Sequence, residues 1–156
     1  MKTHALLTKN DVLLGLKCLD CFRVGRRHHS TQPSTLFHGS KERRDLLIDT
    51  FIAESPIVDL IRIEGKNWAH RIDATQAHLA AGGVSLKSAC FEFKTLRLNC
   101  DLLTRHAGGW TVTEVRPIAH LRSKHFTSAA IVSWVLHHLG FQVSQYQLAT
   151  INTEWD

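Results

Sequence analysis

At 156 residues the chain is long enough for one domain built around a single sizeable core, and its 44% hydrophobic and 21% charged residues are ordinary for a globular protein. No stretch approaches the roughly 20 apolar residues that a bilayer span requires, and the opening M-K-T-H-A-L-L-T-K-N-D carries no long apolar run, so the expectation is a cytoplasmic protein without a membrane partner. The net charge of +5 and a pI near 9.3 favour polyanionic partners without choosing among nucleic acid, a membrane surface and an acidic protein.

In chain order, Thr8 with Asp11 resembles a capping box, and Val12, Leu13, Leu16 and Leu19 follow at helical spacing, which predicts a helix over about 9–22. Residues 30–40, rich in Ser, Thr, Pro and Gly, read as a loop. Lys41 to Ala53 resumes helical character and Ser55-Pro56 breaks it. Ile57 to Ile63 fits either a short strand or a helical turn. A helix is expected over Trp68 to Ala81, stopped by Gly82-Gly83. Val84 to Phe93, Leu96 to Thr104 and Trp110 to Arg116 read as three strands, the last ended by Pro117. Leu98, Cys100 and Leu102 alternate there with Asn99 and Asp101. Ser123 to Leu139 is the clearest helix, with Phe126, Ala129, Ala130, Val132, Val135, Leu136 and Leu139 as its apolar stripe and Gly140 as its stop. Phe141 to Ile151 alternates as a final strand. Helices, three meandering strands, a helix and a strand make one α/β domain over residues 1–156, without internal repeats.

Chemistry concentrates in the hairpin R-L-N-C-D-L-L-T-R-H-A-G-G-W-T-V-T-E-V-R. If its loop is His106 to Gly109, Arg105 lies opposite Trp110 and Asp101 lies opposite Glu114 on one face. Facing side chains in an antiparallel pair stand roughly 5 Å apart, so the like charges repel, and a divalent cation between them would offset the repulsion. The simpler reading puts both acids on the solvent face, paired with Arg116 at under about 1 kcal/mol. Glu92-Phe93-Lys94, with Asp73 upstream, is a competing E-x-K that lacks an acid on a neighbouring strand.

Cys18, Cys21, Cys90 and Cys100 are too sparse for a disulfide framework, and reduced thiols are expected. Cys18-Leu-Asp-Cys21 has the spacing of half a zinc site, which His28-His29 could complete in principle; the simpler reading is two buried or half-buried thiols on an amphipathic helix. Trp68, Trp110, Trp134 and Trp155 could stack on bases but are expected to serve packing.

An aspartate on the second strand and E-x-basic on the third, within this order of elements, resembles the PD-(D/E)XK nuclease superfamily and its RecB-like branch. Leu7-Thr8-Lys9-Asn10-Asp11 leading to Cys18, the passage T-Q-A-H-L-A-A-G-G-V-S-L-K-S-A-C-F-E-F, and G-G-W-T-V-T-E-V-R followed by K-H-F-T-S-A-A-I-V-S-W-V-L-H-H-L-G-F-Q-V carry the likeness. The resemblance implies a restriction-endonuclease-like core, a mixed central sheet flanked by helices. It also implies a metal site for Mg²⁺ or Mn²⁺ at Asp101 and Glu114. Arg116 stands in the place of the family's lysine; it cannot act as a base but could hold the scissile phosphate, with Lys124 able to supply an ammonium. His70 is a further metal-ligand candidate, although Gly65 to His70 is one residue too long for the branch's G-x-x-x-H. Val132 occupies the place of a glutamine, and the cysteines needed for an iron–sulfur cluster are lacking. The function implied is a metal-dependent deoxyribonuclease, with nucleic acid as partner and DNA ahead of RNA. The alternatives are an inactive nuclease-fold module that binds nucleic acid or a protein, and an interaction module in which the acids form only ion pairs; a second copy of the chain is also open as partner.

Overall fold

The computed structural model describes residues 6–28, 38–53, 57 and 59–150. Its elements are β1 (Leu7–Thr8), α1 (Lys9–Lys17), α2 (Leu19–His28), α3 (His38–Ala53), β2 (Leu60–Arg62), α4 (Trp68–Ala80), β3 (Ser85–Lys87), β4 (Cys90–Phe93), β5 (Leu96–Asn99), β6 (Leu102–His106), β7 (Gly109–Arg116), α5 (Ser123–His138) and β8 (Val143–Thr150). The α/β class and the meander–helix–strand order expected from the sequence are present. Among the described residues no helix is long and apolar enough to cross a membrane.

Five strands form the main sheet in the order β2-β3-β6-β7-β8, and β1-β5-β4 form a smaller one. β3, β6 and β7 are an antiparallel meander, and β8 returns through α5 to lie parallel to β7. α5 covers one face: its Val132, Val135 and Leu136 cluster with Leu86, Leu103 and Val112. On the other face Ile48 of α3 clusters with Leu102 and Val115. Both faces of the central strands are therefore covered, which is why β7 is buried at five successive positions rather than alternately.

The two long strands expected over 84–93 and 96–104 are each broken once. Lys87 pairs with Leu102 and Cys90 with Asn99, so the register is continuous across the break. Two further bonds hold it there, Ser88 N–H to the Asp101 carbonyl at 2.8 Å and Cys100 N–H to the Ala89 carbonyl at 2.8 Å. The ladder bends without slipping, with Ser88 at φ 62° on one side and Asp101 on the other. The bend shifts the alternation: Leu98 and Cys100 join the α5-side core, whereas Leu102 faces α3.

Other boundaries also moved. The helix expected over 9–22 is two helices, because Cys18 adopts extended φ −159°, ψ 110°. α3 begins at His38, inside the expected loop, whose residues 29–37 lie outside the described residues, as does Ser55-Pro56. Ile57 to Ile63 contains a strand, β2. Phe126 does not join the core; it is 58% exposed. Trp134 is also exposed and packs edge-on against Phe93 and at a tilt against His138 instead of filling the interior. Trp110 packs edge-on against Phe141 at 5.5 Å, and Trp155 lies outside the described residues.

Two local devices hold this frame. At the tip of the β6–β7 hairpin Gly109 has φ +127°, and a Cβ there would meet the Gln142 carbonyl oxygen at 2.5 Å, so only glycine lets the turn lie against the start of β8. Thr75, fully buried on α4, accepts the Cys90 N–H at 3.0 Å and donates to the Arg71 carbonyl at 2.8 Å, tying α4 to β4 at the bend. We expect Thr75→Val, isosteric and more apolar, to lower stability by about 1–3 kcal/mol in urea denaturation, because it strands a buried N–H. A neutral or stabilising result would show that the hydroxyl is not what joins the two elements.

Candidate functional site

Asp101 occupies the bend between β5 and β6, and Glu114 lies near the end of β7. Arg105 pairs with Trp110 and Leu102 with Thr113, which is the register read from the sequence and brings the two acids to neighbouring positions. They are not on a solvent face: Asp101 is 2% exposed and Glu114 0%. Buried carboxylates need compensation, and four elements supply it. Arg44 of α3 pairs with Asp101 Oδ1, and the Val115 N–H donates to Asp101 Oδ2 at 2.9 Å. Lys9, the first residue of α1, pairs with Glu114 Oε1. Arg116 pairs with Glu114 Oε2, to which Ser128 of α5 also donates at 3.4 Å.

Sequence reading gave Lys9 and Arg44 no place beside the acid pair; Arg44 stood out only as one of a basic group with Lys41 and Arg43. Lys9 lay within the opening segment of the family resemblance but carried no role there, and nothing local to Arg44 pointed to Asp101. What delivers Lys9 is the short β1, whose Leu7 and Thr8 pair with Leu96 and Arg97. The capping box read at Thr8 and Asp11 is formed: Thr8 N–H donates to Asp11 Oδ2 at 2.7 Å, and Asp11 N–H to Thr8 Oγ1 at 3.3 Å. It starts α1 directly after the strand, so Lys9 emerges at the bend.

The two carboxyls are displaced in opposite directions. Burial alone would push both up. For Glu114 the Lys9 ammonium and the Arg116 guanidinium more than cancel that effect and hold the group below the usual carboxylate range. For Asp101, Arg44 and the Val115 N–H cancel it only in part, and the group stays above that range. The Tyr146 hydroxyl is buried beside Glu114 outside hydrogen-bonding geometry, and burial together with that carboxylate pushes the phenol up. His125, 8% exposed at the start of α5, accepts the Arg122 N–H on Nδ1 at 2.9 Å; burial first, then Lys124, Arg116 and Arg122, hold its imidazole below its ordinary range.

Over the acid pair lies a cleft of about 480 Å³ lined by Lys9, Arg44, Arg97, Arg116 and Lys124, with Trp68 as its aromatic wall and no acidic residue on its surface. Arg97 is paired with Glu92 at 2.6 Å, so Glu92 belongs to the β4–β5 hairpin, while Lys94 sits at its turn and Asp73 is exposed on α4. The competing E-x-K therefore does not assemble a site. Arg116 and Lys124, both candidates from the sequence, line the cleft. His70 is exposed in the first turn of α4 and does not line the cleft. Val132 is fully buried in the α5-side core, away from the cleft wall.

A divalent ion would reach these carboxylates only by displacing the Lys9 ammonium and the guanidiniums. Among the described residues no group of three His, Cys, Asp or Glu side chains gathers to hold one. As arranged, the donor set suits an anion above it better than a cation within it. Compared with protein-family models, curated proteins and solved structures, the chain matches none.

The opposed displacements predict opposite costs. Glu114, with its pKa lowered on folding, contributes stability above the ordinary carboxyl range, and that contribution is lost as pH falls through the depressed value. Asp101, with its pKa raised, takes up a proton more readily folded than unfolded, so its charge costs stability at neutral pH. We expect Glu114→Gln to destabilise by about 2–4 kcal/mol at pH 7, leaving Lys9 and Arg116 uncompensated, with the gap to wild type closing below about pH 4.5. Asp101→Asn should cost at least about 1 kcal/mol less than Glu114→Gln. Urea midpoints between pH 3 and 8 read both, and the reverse order would refute the assignment.

Proposed function

We propose that this chain is a restriction-endonuclease-like domain that binds the phosphate backbone of nucleic acid, DNA in the first instance, in the cleft over Asp101 and Glu114. The observation that carries the reading is the lining: five cationic side chains and no acid, with three of them, Lys9, Arg44 and Arg116, also neutralising the buried carboxylates behind the wall. Phosphate groups are recognised by such arrays, guanidiniums giving paired contacts and ammoniums point charges. His125 also lines the cleft, where burial first and then Lys124, Arg116 and Arg122 lower the pKa of its imidazole. The order of the meander, α5 and β8 agrees with the core that the resemblance implies, with Asp101 before the second meander strand and Glu114 and Arg116 on the third.

One observation favours a second reading, Mg²⁺- or Mn²⁺-dependent phosphodiester hydrolysis. Asp101 remains ionisable at a buried position where its charge is incompletely compensated, and carboxyls kept at such a cost gather at functional sites. Arg116 weighs against it, because a guanidinium cannot take the proton of an attacking water.

Binding of labelled single- and double-stranded DNA, followed by fluorescence anisotropy across about 50–200 mM salt, tests the first reading. We expect salt-sensitive binding, and Lys124→Ala, an exposed change with no cost to the fold, should lower the slope of log affinity against log salt by about one. Absence of binding at about 50 mM salt would sink the proposal. Incubation with Mg²⁺ or Mn²⁺ separates the two readings: cleavage that disappears in Asp101→Asn and Glu114→Gln would establish the second.

A further inference from the structure

Cys18 is the C-terminal cap of one helix and the N-terminal cap of the next. Its N–H bonds the Leu14 carbonyl at 2.9 Å, closing α1. Its own carbonyl accepts the Phe22 N–H at 3.0 Å, and its sulfur accepts the Cys21 N–H at 3.2 Å, opening α2. An N-cap is ordinarily filled by the oxygen of Ser, Thr, Asp or Asn. A neutral thiol accepts hydrogen bonds weakly, whereas a thiolate accepts them well, so a sulfur in this seat is matched to its ionised form.

The second thiol completes the arrangement. Cys21 stands three residues on, the spacing at which N-cap and third-residue side chains meet in a capping box. The Cys21 side chain comes first among the causes that hold the Cys18 thiol below its ordinary range, followed by the Cys21 N–H that the sulfur accepts at 3.2 Å. The Cys21 thiol is raised in turn, first by the Cys18 side chain. Cys21 is exposed and Cys18 half-buried, so both can be reached from solvent. Cys90 and Cys100 are buried, and burial pushes both of those thiols up. The pair lies at the opposite end of α1 from Lys9 and does not line the basic cleft.

The geometry points to Cys18 and Cys21 as a dithiol–disulfide exchange site, with Cys18 as the nucleophile and Cys21 as the resolving thiol. The co-reactant is a small disulfide of the glutathione class. The Cys18 thiolate attacks one sulfur of that disulfide; a Cys18–glutathione bond forms, the glutathione disulfide bond breaks, and one glutathione thiolate leaves and takes up a proton. Cys21 then loses its proton to solvent and attacks Cys18 Sγ. The mixed disulfide breaks, the second glutathione leaves, and a Cys18–Cys21 bond remains. The chain gives up two electrons and two protons, and one glutathione disulfide becomes two glutathione thiols.

The full chain, equilibrated in buffers of graded reduced-to-oxidised glutathione ratio, quenched in acid, alkylated and read by peptide mass, tests this. The expected result is a Cys18–Cys21 disulfide that forms as the ratio falls, reverts with dithiothreitol and is absent in either single Cys→Ser variant. Cys21→Ser should trap one glutathione on Cys18, roughly threefold or more faster than Cys18→Ser traps it on Cys21. Cys90 and Cys100 should stay unmodified throughout, which reports that the fold is intact. Equal trapping rates at the two positions, or no Cys18–Cys21 disulfide in wild type at any ratio, overturns the proposal. If a variant exposes Cys90 or Cys100, the wild-type titration alone decides.

Discussion

Burying two carboxylates side by side in a protein interior costs several kcal/mol per charge unless cations and hydrogen bonds meet them. Asp101 and Glu114 impose that demand, and much of the surrounding structure answers it. The ammonium of Lys9 comes from α1, the guanidinium of Arg44 from α3, Arg116 from β7 itself, and a hydroxyl from Ser128 on α5. Elements that are far apart in sequence are thereby fastened to one point, and β1, only two residues long, is understandable as the piece that holds Lys9 in reach.

The bend in the β3–β4 and β5–β6 ladder is the other half of the arrangement. By turning the strands without slipping their register it moves Asp101 off the alternation of its neighbours and into the layer that ends β7. It also divides the apolar side chains between two clusters, one under α5 and one under α3. The cleft lies beside the acid pair, whose partners Lys9, Arg44, Arg116 and Ser128 line it while the two acids themselves stay buried behind them. The cations that neutralise the acids also line the walls, so one set of side chains serves both stability and the positive potential of the opening. An exposed ion pair would be worth little; here the desolvation of Glu114 makes removal of a partner expensive.

Arg116 and Val132 fit this architecture as they stand. A guanidinium can face Glu114, Ser128 and the cleft at once, through a fork of donors that an ammonium lacks. Val132 contributes to a dry core with Leu86, Leu103 and Val112, where an amide side chain would need partners of its own. Lys87 illustrates the same rule on the opposite face: buried on β3, it pairs with Asp49 of α3.

Much of this was legible in the amino-acid sequence. The capping box at Thr8, the stop at Gly82-Gly83, the hairpin register through Arg105 and Trp110, and the helix from Ser123 follow from local pattern, since each depends on residues a few places apart. The nearness of Asp101 to Glu114 was also readable, because a short turn sets the register of the strands it joins, here through to Leu102 and Thr113. The rest lay beyond local pattern. Burial of the two acids, the delivery of Lys9 and Arg44, the break at Cys18 and the bend at Asp101 arise from contacts between distant segments. A solvent-facing acid and a buried, compensated one have the same letters around them. What separates them is the arrival of cations from other elements, and only the tertiary structure brings those cations to the bend.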